Sequence, residues 1–363
     1  MVSEADVQTA KGIFASYYQS ADFRIPGIEQ REFGFGNIKK IEARHLNFAS
    51  AGDFRRYLCS NTPLFVSHST AYYEFPGASP MQKKGWKGAD IVFDLDIHAE
   101  GKFGAYALLE DVKNDLSRLV NDFILNDFGV KKEHVAVVFS GNRGYHVHVR
   151  DPAFLPLGGD ERRELVDYVM GQGLDYARFF TGLDERPQKL FGPRPDEGGY
   201  RGRFARAAIK LIAENPHAIT KLFAKEKERE FFIGGIREGN WMRTSLKFGD
   251  IVGRMKAVAD SLPIGSVNTD AGVTQDLSKL IRVPDSVHGE TGLIAKVTDD
   301  FGKFDPWKDA RIPGKETRVR FLEDVPALEH VFGGAGPFKK EEEKALPQEQ
   351  ALFFVLKGSA SFR

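Results

Sequence analysis

The stretch GADIVFDLDIH, residues 88–98, sets two aspartates two positions apart inside a run that otherwise has the composition of a buried β-strand. Side chains alternate faces along a strand, so Phe93, Leu95 and Ile97 point one way while Val92, Asp94, Asp96 and His98 point the other. Two carboxylates on one strand face are separated by about 7 Å of backbone. In low dielectric they raise each other's pKa unless a cation lies between them, and a hard divalent ion such as magnesium or manganese is the simplest compensation. A strand end at which both aspartates reach solvent is the plainer reading of the same residues.

Working outward, Leu108, Leu109, Val112, Leu116, Leu119, Val120 and Phe123 recur at helical spacing from Ala105 onward, with Gly129 as the stop. A second apolar run, Val135 to Phe139, ends in the turn formers SGNRG, and strand alternation then resumes through Val149. This predicts a hairpin in which His146 and His148 share a face, with Ser140, Arg143 and His146 crowding the turn. Hydroxyl, guanidinium and imidazole donors beside glycines suit a triphosphate, although an ordinary hairpin with satisfied histidines fits the same residues. Further on, VNTDAGVTQDLSKLIRVPDSVHGETGL, residues 267–293, carries Asp270, a basic and apolar patch ending at Arg282, and His288 ahead of a tight turn. These residues complete a metal and phosphate site or lie on surface loops.

Strand and helix signals alternate in the first 150 or so residues and again after about residue 245, so the core is read as α/β. Ser3 with Asp6, and Ser50 with Asp53, match helix-capping patterns. Residues 161–244 differ in character. They are rich in Arg, Lys, Glu and Ala at helical spacing, as in RRELVDYVMGQGLDYARFF and GRFARAAIKLI, and are read as a mainly helical insertion that splits the α/β domain into 1–160 and 245–363. The segment GGAGPFKKEEEKALPQEQ, residues 333–350, reads as charged surface chain before a last helix with Pro347 at its first position.

Fifty-one basic and 51 acidic side chains give a formal charge of zero, so no global field steers the protein to nucleic acid or an anionic membrane, and any nucleic-acid contact must use a local patch. The one cysteine, Cys59, excludes an intrachain disulfide framework and any all-protein cysteine cluster for zinc or iron–sulfur. No signal-peptide pattern and no run of about eighteen apolar residues is present, which predicts a cytoplasmic protein without a membrane span.

In order along the chain, the D-x-D strand, the S-G-x-R-G-x-H hairpin and a late Asp followed by basic-x-Pro-x-Ser-x-His-x-x-T-G resemble the small, catalytic subunit of archaeal and eukaryotic DNA primases, most closely the archaeal branch. REFGF, residues 31–35, with Arg44 further on, is similar to the family's first motif block, and HSTAYYEFP, residues 68–76, to the segment leading into the catalytic strand. The resemblance implies a primase-type catalytic domain of mixed β-sheets flanked by helices, and template-directed synthesis of short RNA or DNA primers on single-stranded DNA from nucleoside triphosphates. It implies two magnesium or manganese ions, about 3.5–4 Å apart, held by Asp94, Asp96 and Asp270. By the same resemblance Ser140, Arg143, His146, Arg282 and His288 bind the nucleotide, and Glu32 and Arg44 stand at the rim. The implied partner is a large subunit that contributes an iron–sulfur domain.

Two departures stand out. Many relatives carry a zinc knuckle after the D-x-D strand, whereas HAEGKFGAYALLED, residues 98–111, has one histidine and no cysteine, so structural zinc is not expected. Asn142 stands where some relatives have a second arginine. Two rival readings are another metal-dependent nucleotidyltransferase or nuclease, which need not have the hairpin, and a silent nucleic-acid-binding subunit, which should have lost part of the Asp94, Asp96, Asp270 set.

Overall fold

The computed structural model of the chain describes residues 2–182, 189–215, 217, 224–243 and 266–363. The parts of the expected helical insertion on 183–188, 216, 218–223 and 244, and of the second α/β segment on 245–265, lie outside the described residues. The chain divides into two units: Met1–Leu116, Val130–Val166 and Thr269–Arg363 form one, Ser117–Gly129 and Asp167–Asn268 the other.

The first unit is built on antiparallel sheets. Strands β1 (Phe33–Gly36), β2 (Ala43–Leu46), β3 (Phe65–Ser69) and β9 (Leu280–Arg282) pair in the order β2-β1-β3-β9. A second sheet has the order β10-β7-β8-β6, from β6 (Ile91–Asp96), β7 (Val135–Phe139), β8 (Gly144–Val149) and β10 (Val297–Thr298). The ribbon β4 (Ala71–Tyr73) with β5 (Trp86–Ala89) lies between them in sequence. Helices α1 (Glu4–Ser20) and α2 (Ala51–Asn61) begin at Ser3 and Ser50, whose hydroxyls accept the Asp6 and Asp53 N–H as the sequence predicts. Their apolar faces, with Phe14, Tyr18, Phe54 and Leu58, bury against Phe33, Phe35 and Val66 of the first sheet.

Three local expectations are corrected. The chain from Ala105 does not run as one α-helix: Gly104–Leu108 is a 3-10 turn, α3 spans Leu109–Ser117, and Arg118–Asp127 is π-helical. Apolar spacing of three and four does not distinguish these windings, and Leu108, assigned by spacing to the buried face, is exposed. The charged segment after Gly333 contains a strand, β12 (Glu343–Leu346), which joins β11 (Thr317–Phe321) and β13 (Ala360–Phe362) in a third sheet. An edge strand tolerates charge because one side of it faces water. Pro347 is the N-cap of the last helix, Gln348–Leu356, rather than its first residue.

The second unit is helical where described. Gly199–Glu214 and Glu226–Arg237 pack around Trp241, which is fully buried against Phe180, Phe204 and Phe232.

Candidate active site

Strand β6 pairs along its whole length with β8, placing Asp94 opposite His146 and Asp96 opposite Gly144. The late segment meets β6 from the other side. Asp270 donates its N–H to the Asp94 carbonyl at 3.0 Å, and the Thr269 hydroxyl both donates to that carbonyl at 3.0 Å and accepts the Asp94 N–H at 3.2 Å. The Thr274 hydroxyl donates to the Val92 carbonyl at 2.7 Å. Residues 269–274 thus occupy hydrogen-bonding groups on the free edge of β6 and carry the third carboxylate to the first two.

A second interlock joins the hairpin to the segment after β9. The Thr291 hydroxyl donates to the Gly141 carbonyl at 2.6 Å. Gly141 has φ of +78°, and a Cβ there would lie 3.0 Å from that of His288 and 3.2 Å from the Leu293 carbonyl. Only glycine fits this backbone and this approach. On the first sheet, β9 pairs with β3 so that Arg282 lies opposite Ser67.

Together these elements enclose a cavity of about 460 Å³, large enough for a nucleotide. Asp94, Asp96, Asp270, Ser140, His146, Arg282, His288 and Arg44 all line it. The remaining two candidates do not. Arg143 reaches it through Asp96, its Nε 3.1 and 3.2 Å from the two carboxylate oxygens and its Nη2 3.2 Å from one of them. Glu32 is fully buried behind Arg44, whose Nε lies 2.9 Å away, with His45 Nδ1 at 3.2 Å and Lys84 Nζ at 3.5 Å. Burial opposes its charge, but Arg44 and Lys84 overcome that and hold Glu32 below the usual carboxylate range. Glu32 therefore serves as the counter-ion that fixes Arg44.

Burial, and then the charges of Asp96 and Asp270, push the Asp94 carboxyl up to about 7, against the pull of Lys279 and Lys40. The nearest imidazole nitrogen, His146 Nε2, is 3.6 Å from Asp94, yet burial and the neighbouring Arg282 hold His146 down to about 3, so the ring is neutral. His146 Nδ1 and Arg282 Nη1 are buried with no hydrogen-bond partner. His288 Nδ1 accepts the Glu290 N–H at 3.1 Å, which leaves Nε2 as the donor of a ring that burial, then Arg282 and nearby lysines, keep neutral.

Among the described residues no three carboxylate, imidazole or thiolate groups converge closely enough to hold an ion as they stand. Arg143 engages both oxygens of Asp96, and the Gly272 N–H engages Oδ1 of Asp270 at 2.9 Å. The donor set nevertheless fits a hard divalent cation: three carboxylates line one cavity, and burial followed by mutual repulsion raises the most buried of them. The orphaned guanidinium and imidazole nitrogens fit an anion beside it.

Sequence reasoning missed Thr269, Lys40 and Ser67, and named Lys279 only as part of a basic patch. Thr269 stands next to Asp270 and could have been suspected from the N-T-D triplet. Lys40 and Ser67 carry no local signal, because they reach the cavity only through pairing within the first sheet.

Comparison with known proteins gives a consistent result. The family described as DNA primase small subunit matches residues 93–299. The DNA primase small subunit PriS of Methanothrix thermoacetophila is 34% identical over 96% of this chain and 96% of its own length. The proteins of the same name from Methanococcoides burtonii and Archaeoglobus fulgidus are each 31% identical, covering 97% and 96% of this chain and the same shares of their own lengths.

Proposed function

The chain belongs to the DNA primase small-subunit family, and we propose that the cavity between its first two sheets is where primers are made. The activity is that of the catalytic primase subunit in DNA replication, a DNA-directed nucleotidyl transfer that joins nucleoside triphosphates into short RNA or DNA primers on single-stranded DNA. One observation carries the assignment of the site: three carboxylates and two unpartnered buried cationic or donor groups, Arg282 Nη1 and His146 Nδ1, line the same cavity from four distant stretches of chain.

In this reading Asp94, Asp96 and Asp270 hold two divalent cations, magnesium or manganese. When bound, such cations activate the attacking 3′-hydroxyl and neutralise charge on the triphosphate. Arg282 and His146, which line the cavity, then bind phosphate oxygens. His288 donates from Nε2, and the Ser140 hydroxyl is a further donor at the hairpin turn. Arg143, which pairs with Asp96, would bind the triphosphate if the carboxylate were occupied by a cation. Arg44, fixed by Glu32, adds a cation at the rim. Positioning and charge neutralisation are most of what such a reaction needs from a protein.

The single-stranded template, the nucleoside triphosphates and a large partner subunit complete the proposal. With one cysteine, this chain cannot supply an iron–sulfur cluster, so a cluster needed for initiation must come from that partner. Residues 161–244 are read as an inserted subdomain, the protein as cytoplasmic, and zinc as having no structural part. Among the described residues no helix is long and apolar enough to cross a membrane.

The test is primer synthesis on single-stranded DNA with labelled nucleotides and magnesium or manganese, comparing wild type with Asp96→Ala. Synthesis is expected to disappear in the variant. Synthesis that survives would remove Asp96 from the cation site, and strand cleavage without nucleotide incorporation would favour a nuclease.

A further inference from the structure

The turn joining β1 to β2 lies at the mouth of the cavity, since Lys40 and Ile41 line it together with the three aspartates. At its tip Ile38 is 90% exposed, more than any other large hydrophobic side chain among the described residues. The exposure is built in. The Glu42 carboxylate accepts the backbone N–H groups of Asn37, Ile38 and Lys39 at 3.1, 2.9 and 2.9 Å, and the Glu42 N–H returns to the Phe35 carbonyl at 2.8 Å. Those hydrogen bonds hold Glu42 ionised, below the usual carboxylate range. A Cβ at Gly36 would fall 1.8 Å from the Lys39 carbonyl, so the turn closes only because that residue is glycine.

Closing the turn explains Glu42 and Gly36 but not Ile38. A serine or lysine would close it equally well without holding an isoleucine side chain in water. An apolar side chain on a hydrogen-bonded turn beside two exposed lysines, Lys39 and Lys40, is chemically complementary to one class of polymer. Single-stranded nucleic acid offers flat apolar base faces at the spacing of its phosphates, and apolar side chains such as isoleucine are used against base steps. Because the turn is already ordered, contact there costs little further entropy. The chain's formal charge is zero, so such a local patch is what contact with nucleic acid requires.

Resting on the primase reading above, we propose that the β1–β2 turn seats the single-stranded DNA template at the mouth of the catalytic cavity, with Ile38 against a base face and Lys39 and Lys40 on the flanking phosphates. The occupant is committed because the patch is continuous with the site where the template must pair with incoming nucleotides and because its charge complements phosphate.

The experiment uses the full chain and a 5′-fluorescein-labelled oligothymidylate, read by anisotropy at two salt concentrations. In parallel, the KM for template and the KM for nucleotide are measured in primer synthesis with the large subunit present. Ile38→Ser is expected to weaken oligonucleotide binding and raise the template KM about tenfold, leaving the nucleotide KM unchanged. Lys39→Ala is expected to weaken binding and lower the salt slope by about 0.7, the share of one phosphate on a single strand. Ile38 is too exposed for its loss to unfold the protein. Oligonucleotide affinity and template KM that match wild type in both variants would overturn the proposal. So would an Ile38→Ser chain that keeps its template KM but loses its large subunit, since the turn would then be a protein interface. A wild-type chain that incorporates no nucleotide would overturn the primase reading alone, and the oligonucleotide binding of the variants would still decide the turn.

Discussion

The two ends of one strand use the same residue types to opposite effect. At the foot of β6, Asp90 is fully buried and saturated: Arg31 Nη2 lies 3.0 Å from it, Arg150 Nε 3.1 Å, the Tyr72 hydroxyl donates at 2.8 Å, and His148 Nδ1 is 3.7 Å away. Burial opposes its charge, but Arg31, then His148 and Arg150, hold Asp90 far below the ordinary carboxylate range. Arg31 is itself fully buried, donating to the Ser69, Thr70 and Pro26 carbonyls, and Arg162 binds the Ala89 and Asp90 carbonyls at 2.8 and 2.9 Å. At the tip, Asp94 and Asp96 keep 20% and 34% of their side-chain surface exposed, and Arg143 pairs with Asp96 alone while Asp94 is raised by burial and by its two carboxylate neighbours. At the foot one carboxylate is held by more than one arginine, whereas at the tip burial and carboxylates crowded together raise Asp94.

The largest effect expected from breaking this contrast is at the foot. Asp90→Asn leaves Arg31 buried without its counter-ion and should cost about 3–5 kcal/mol, read as a lowered urea midpoint. The same exchange at the tip has the opposite sign for stability. Asp94→Asn removes the carboxylate that its neighbours repel, so the midpoint should rise by about 1–2 kcal/mol in stability, while primer synthesis falls by about a hundredfold or more.

A pH series sharpens the same contrast at the foot. Burial, with Arg31 near one ring and Arg150 near the other, holds His68 well below its ordinary value and His148 down to about 4. The folded chain therefore keeps both rings neutral where the unfolded chain protonates them, and the unfolded state binds more protons. Stability should fall as pH drops from about 6.5 toward 4, by about 1.4 kcal/mol per pH unit for each ring. Urea midpoints across that range test this, and His148→Asn should lose one ring's share of the slope.

The contrast also marks what the sequence could tell. The hairpin was legible because alternation and turn formers are local, and both capping serines for the same reason. The D-x-D strand was legible as a strand, but its two ends were not distinguishable in role: Asp90 sits in the same quoted stretch as Asp94 and went unremarked. Arg31, read as part of a motif block, is a buried anchor, and Glu32 stands behind Arg44 instead of at the rim. Thr269 clamps a residue 175 positions away, and no local pattern records such a contact. The π-helical winding of Arg118–Asp127 was invisible because its apolar spacing is also that of an α-helix.

The central claim is that the unbalanced carboxylates at the tip of β6 are a divalent-cation site. Thermal unfolding of the chain in increasing manganese, without nucleotide or DNA, tests it most directly against the Asp94→Asn, Asp96→Asn, Asp270→Asn triple variant. The account predicts saturable stabilisation of the wild type, about 2.7 kcal/mol at a hundredfold excess over Kd, and none in the variant. Equal stabilisation of both chains, or none in the wild type, would contradict it.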